Sequence, residues 1–244
     1  MTDDERYTVL NSELGTIYEE VQDLRVKQHI FWEVQEIVRA NSNINVPNEF
    51  YTCLEETYAA SMSAAIRRQI DATKDTISFL RFLQAVEQQP TVVTRKRYRK
   101  FSTKLSEDEM NAHFDLLVGA GNNNLAKPAV QCDIQALRDK TDALKDYANS
   151  LVTHRAKNLI PQKAFGPNHP AAGLASFRDI DAAIEGLEVL LKKYLNLFRF
   201  SVVSGTLLPV VIDNWKSIFR VPWIPNLDAK TSRSTSSLPS RVGP

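Results

Sequence analysis

From Phe177 to Phe198 the residues Phe177, Ile180, Ile184, Leu187, Leu191, Tyr194 and Phe198 recur at steps of three and four. That spacing puts side chains on one face of an α-helix, whereas a half-buried strand needs strict alternation. No alternating stretch of comparable length exists; Val92-Val93 and Val202-Val203 are too short to be strands. The chain is therefore constrained to an all-α fold, and we expect an up-and-down bundle of about six helices with long first and last members.

The same reading places the other helices. Tyr7, Leu10, Leu14, Ile17, Val21, Leu24, Phe31, Val34 and Val38 predict a long helix over residues 4–40, bent near Lys27–His29 and stopped by Asn41-Ser42-Asn43. Pro47 is expected to open a second helix, with Phe50, Leu54, Tyr58 and Ala65 on its buried stripe, because the missing proline N–H has no partner in a first turn. After a break at Asp71–Asp75, Asp75 is expected to cap a third helix facing inward through Ile77, Leu80, Leu83 and Val86, ended by Pro90. Ser106 followed by Glu109 is a capping-box signature for a short helix that ends near Gly119-Ala120-Gly121. Val130, Ile134, Leu137, Leu144, Tyr147 and Leu151 mark the cleanest period of all. Residues 157–175, with Pro161, Gly166, Pro167 and Pro170, read as a loop. A short helix is expected around Trp215–Phe219. The expected organisation is one helical domain over residues 1–226. Residues 227–244, rich in Ser, Thr, Arg and Pro, read as a disordered tail.

Composition excludes several functional classes. A formal net charge of +1 gives no global attraction to nucleic acid or an anionic membrane, so any such attraction must be local. Eight glycines are too few for a turn-dense β fold, and no glycine-rich phosphate loop is present. Cys53 and Cys132 have no paired spacing, which fits a reducing compartment, and the acidic start Thr2-Asp3-Asp4-Glu5 is not a signal peptide. No run of about 18 apolar residues is available to span a bilayer. A cytoplasmic protein with no membrane association follows as the expectation. His29, His113, His154 and His169 show no metal-ligand spacing, so neither a metal nor another cofactor is expected.

Chemistry is concentrated at the end of the 130–151 pattern. His154 can exchange a proton near neutral pH. Arg155 and Lys157 can hold a phosphate, Asn149 offers both a donor and an acceptor, and Lys145 adds a cation upstream. The alternative is that these cations close a helix C-terminus, where positive charge suits the macrodipole. The run Arg95-Lys96-Arg97-Tyr98-Arg99-Lys100 is either a grip on a nucleic-acid backbone or, the preferred reading, a solvated loop with Tyr98 inward and the cations outward. The aromatic group Phe198, Phe200, Trp215, Phe219 and Trp223 reads as core or subunit contact.

The order of several segments carries a resemblance. Gln28-His29-Ile30-Phe31 comes first, then Ala65-Ile66-Arg67-Arg68-Gln69-Ile70-Asp71 and Thr76-Ile77-Ser78-Phe79-Leu80-Arg81-Phe82-Leu83. Thr94-Arg95-Lys96-Arg97-Tyr98 and Tyr147-Ala148-Asn149-Ser150-Leu151-Val152-Thr153-His154-Arg155 follow, ahead of the helix at Phe177. Over residues 15–200 this order resembles the HEPN superfamily, in particular its abortive-infection AbiU-like branch. The resemblance implies a dimerising helical bundle. It also implies a metal-independent ribonuclease of the toxin–antitoxin or phage-defence kind, with RNA as substrate and an antitoxin as partner. The family's signature is an arginine, four to six residues, then a histidine. His154 matches the histidine, but the arginine positions hold Tyr147, Ala148 and Asn149. The implied catalytic set is His154 for protons, Asn149 for positioning and Arg155 for charge, with Lys145 and Lys157 on the substrate. The alternative is a non-catalytic helical dimerisation or protein-interaction module.

Overall fold

A computed structural model describes residues 1–148, 175–201, 205–208 and 214–220, without the side chains of Asp146 and Tyr147. Contacts divide the chain into two units, Met1–Leu208 and Pro209–Pro244. Among the described residues the structure is helical, with no strand; one isolated antiparallel bridge joins Thr94 to Asn124. The expected boundary at residues 226 and 227 and the tail beyond it lie outside the described residues, as does the loop from 157 to 174.

The first unit contains α1 (Asp3–Ala40), α2 (Glu49–Gln69), α3 (Phe79–Gln88), α4 (Arg95–Tyr98), α5 (Glu107–Val118), α6 (Lys127–Tyr147) and α7 (Phe177–Arg199). The second shows one 3-10 segment, Trp215–Arg220, where the short helix was expected. α1 runs through Lys27–His29 without a break. It buries Leu10, Leu14, Ile17, Val21, Leu24, Gln28 and Phe31, alternating steps of four and three along one stripe. Thr2 and Glu5 form a capping box at its start, and Ser106 with Glu109 and Ser176 with Asp179 do the same for α5 and α7. Each box satisfies donors that a helix start leaves without intrahelical partners.

α7 is the central helix: eleven of its 23 residues are buried, and it packs against α1, α2, α5 and α6 and, through Phe79 and Phe82, against α3. Tyr7 stacks on Phe198, and Arg25 pairs with Glu188, so α1 and α7 run antiparallel. Lys193 pairs with Asp133, and Lys140 crosses beside Gly186, so α6 and α7 are antiparallel too. A Cβ on Gly186 would stand 3.0 Å from Lys140 Cγ, which explains a glycine inside this helix. α7 ends at Phe200, whose φ of 52° is left-handed; its ring packs edge-on against Tyr98 and His113.

Four sequence expectations are corrected. Pro47 lies outside α2, because Asn48 caps it by accepting from the N–H groups of Phe50 and Tyr51. Phe50 is exposed, since α2 begins beyond the body of the bundle. Ser78, not Asp75, caps α3; Asp71 ties off the turn before it through Thr73. Ile77 is exposed for the same reason: it precedes the helix, and Phe79 and Phe82 join Leu80, Leu83 and Val86 inside. The stripe of α7 is used within its own bundle, with Phe177 half-buried and the other six residues buried.

Candidate functional site

Of the residues the sequence singles out for chemistry, Lys145 is described. It stands exposed in the last turn of α6, with no ion pair among the described residues. Asn149, His154, Arg155 and Lys157 lie outside the described residues. The antiparallel packing of α6 and α7 brings the end of α6 and the start of α7 to the same end of the bundle. That end is built from aromatic side chains. Phe31 and Tyr58 stack with centroids 3.8 Å apart, and Phe177 leans on both. Trp32 Nε1 donates to Asp181 Oδ1 at 3.1 Å, and Gln28 donates to the same oxygen. The buried Tyr58 hydroxyl has no hydrogen-bond partner among the described residues. Burial, and then the Asp181 carboxylate, push its ionisation far above the ordinary tyrosine range, so it stays protonated.

Two turns beyond Asp181 along α7, Glu188 is buried against α1. Arg25 and Lys192 both pair with it, and Arg25 Nη1 also donates to Gln28 Oε1 at 2.7 Å. Its Oε1 accepts the Leu207 N–H at 2.9 Å, while Gln22 Nε2 donates to the Leu207 carbonyl at 3.3 Å. Lys192 donates to the Gly205 carbonyl. Residues 205–208 are thus strapped onto the bundle by side chains from α1 and α7, with the Leu207 side chain buried beneath. Burial alone would raise the Glu188 carboxyl. The Lys192 hydrogen bond, the Arg25 charge and the Leu207 N–H outweigh it and hold the carboxyl below its usual range. A carboxylate with every lone pair engaged is a structural anchor, not a proton carrier.

The basic run at 95–100 is a further correction. It forms the one-turn helix α4 rather than a solvated loop, and its arginines turn toward carboxylates. Arg95 pairs with Asp115, Arg97 with Asp4 and Arg99 with Glu107. Arg97 also lies over the Tyr7 ring at 4.6 Å and donates to the Val92 carbonyl. Tyr98 is buried as expected; its hydroxyl donates to Asn196 at 2.8 Å, and burial pushes its pKa up to about 12. Sequence reasoning missed these ties because the partners of Arg97 and Arg95 are remote in the chain.

Asp133, Lys193 and Tyr194 form another half-buried polar group. Lys193 Nζ donates to Asp133 Oδ2 at 2.6 Å, and the Tyr194 hydroxyl donates to the same oxygen at 2.8 Å. No group of three His, Cys, Asp or Glu side chains among the described residues can hold a metal ion, and Cys53 and Cys132 are free and exposed. No helix among the described residues is long and apolar enough to cross a membrane. The aromatic residues grouped in the sequence separate: Phe198 and Phe200 belong to the first unit, Trp215 and Phe219 meet edge-on in the second, and Trp223 lies outside the described residues. No family model matches the chain, and no curated protein or solved structure matches it.

Proposed function

We propose that the chain is a HEPN-type helical protein acting on RNA without a metal, as a toxin or phage-defence effector that works as a homodimer in the cytoplasm with an antitoxin partner. His154 moves the proton, Asn149 orients it or the scissile phosphate, and Arg155 stabilises the developing charge. Lys145 and Lys157 hold the RNA backbone. Metal-free RNA cleavage needs a base, an acid and fixed positive charge at the phosphorus. Support comes from the antiparallel α6–α7 pair, whose shared end carries the exposed Lys145 nine residues before His154. Asn149 hydrogen-bonds but does not neutralise charge, so this set is weaker than the arginine-bearing family pattern. On a continuous helix, residues five apart point roughly 140° away from each other. A shared site at this spacing therefore needs a groove between two helix ends, as across a two-fold axis.

A second reading, a non-catalytic interaction module, draws on a different observation. Arg95, Arg97 and Arg99 are committed to carboxylates of this chain, and the α1–α2 corner exposes Val46 and Phe50. One assay separates the two. Purified chain is incubated with RNA in EDTA beside His154→Ala and Asn149→Arg. The nuclease reading expects cleavage that survives EDTA, falls on the order of 10² or more in His154→Ala and rises in Asn149→Arg. A folded Asn149→Arg chain that leaves RNA intact decides for the interaction module. Light scattering showing only a 27.6 kDa species removes the dimer from the proposal.

A further inference from the structure

At the opposite end of the bundle from Lys145, α1 and α3 enclose a cleft of about 350 Å³. This lies at the lower end of the range, roughly 300–1,000 Å³, that small-molecule sites occupy. Three cations from three separate segments line it: Arg6 of α1, Lys74 of the α2–α3 connection, and Arg81 in the first turn of α3. Glu13 and Asp75 line it too, so its formal side-chain charge is one positive unit. Val9 and Ile77, each about half exposed (47% and 48%), supply apolar wall.

Arg81 sets this cleft apart from the rest of the molecule. Four half-buried arginines outside the cleft, Arg25, Arg95, Arg97 and Arg99, each hold a carboxylate. Arg81 is half-buried as well, yet its guanidinium has no ion pair or hydrogen bond among the described residues; Glu13 faces it without closing one. Arg6 uses one nitrogen on Gln89 and keeps the rest of its fork. A guanidinium fork matches a phosphate or carboxylate bidentately, and such charge-assisted bonds are about twice as strong as neutral ones. Burial raises the Glu13 carboxyl, and the Arg81 charge opposes that rise, so the carboxylate sits where it is poorly hydrated and would repel an incoming anion.

We infer that this cleft binds a small organic oxyanion, a phosphate or carboxylate head on an apolar body. Arg81 and Arg6 hold the head, Lys74 closes over it, and Val9 and Ile77 cover the body. No residue of the cleft lies on α6 or in 149–157, so the inference stands whether or not the chain acts on RNA.

Titration of the full chain with phenyl phosphate, hexanoate and inorganic phosphate, followed by calorimetry, tests it. Saturable binding of phenyl phosphate or hexanoate at millimolar concentration or below is expected, and the arm that saturates first names the head group. Arg81→Gln and Arg81→Lys should each weaken that binding, the former by about tenfold. Thermal stability should change little, because Arg81 makes no ion pair or hydrogen bond among the described residues and loses only its charge attraction to Glu13. Glu13→Gln should tighten binding several-fold by removing the opposing charge. Neither organic probe saturating overturns the inference, and so does an affinity that both Arg81 variants leave unchanged. Inorganic phosphate binding as tightly as phenyl phosphate removes the apolar wall from it.

Discussion

The chain uses the same arginine–carboxylate pair in two settings. Arg25 meets Glu188 between α1 and α7, where the glutamate side chain is 3% exposed; Arg97 meets Asp4 at the edge, where the aspartate is 92% exposed. Glu188 also serves Lys192 and the Leu207 N–H, while the Asp4 side chain serves Arg97. Opening the first pair strands both charges away from water; opening the second returns Asp4 to it, while Arg97, 19% exposed, keeps the Tyr7 ring and the Val92 carbonyl. Breaking a buried pair costs far more than an exposed pair is worth, because desolvation dominates the former and screening the latter. Sequence shows two arginines of equal charge; burial of Glu188 makes one ion pair structural, and exposure of Asp4 leaves the other nearly neutral.

The largest effect should come from Glu188→Ala, which leaves Arg25 without its counter-charge; we expect a loss of about 3–5 kcal/mol in urea unfolding. A loss below about 1 kcal/mol would erase the contrast between the two pairs. Acid offers a second route to the same anchor. The folded Glu188 carboxyl lies below its ordinary value of 4.5, so its contribution is complete above that pH. It is lost as pH falls through the lower folded value. Stability measured from pH 6 downward should decline below about 4.5, and Glu188→Gln should flatten that decline relative to the parent chain.

Arg97→Ala should cost roughly 1 kcal/mol, mainly through the contact with Tyr7 and the bond to the Val92 carbonyl. RNA retention should hardly change, whereas a large drop would return the basic run to the substrate side. Asp4→Asn should be the mildest, within about 0.5 kcal/mol by thermal melting. A larger shift would mean that the edge pair is more shielded than its exposure indicates.

Local signals in the sequence translated well into structure. The α7 stripe, the Ser106–Glu109 box, the stop at Gly119 and the 3-10 segment at Trp215 all depend on residues within a turn or two of each other. The errors came from competition that spacing cannot display. Asp75 and Ser78 are both good caps, and Ser78 prevails because starting the helix there buries Phe79 and Phe82 together. Phe50 fits the period of α2 but lies on a stretch the bundle does not reach. The ties of the basic run have no local signature, because Asp4 and Asp115 reach it by tertiary packing alone. The cleft between α1 and α3 had no linear signature, since Arg6, Lys74 and Arg81 belong to no common motif. For the site around His154, the legible part is the residue chemistry; of its members, only Lys145 has a described position.

The strap at Gly205–Leu208 gives this molecule a built-in clock. The Leu207 amide belongs to no helix, yet it is bonded to a buried carboxylate and its own side chain seals it from solvent. Amides in irregular segments ordinarily trade hydrogen for deuterium quickly, because fraying costs little. This one must wait until Glu188, Gln22 and Lys192 let go together. Its exchange rate therefore counts detachments of the strap, separately from unfolding of the helices. Exchange at Leu207 that outpaces α7 but lags other non-helical amides would mark a cooperative opening smaller than the whole fold.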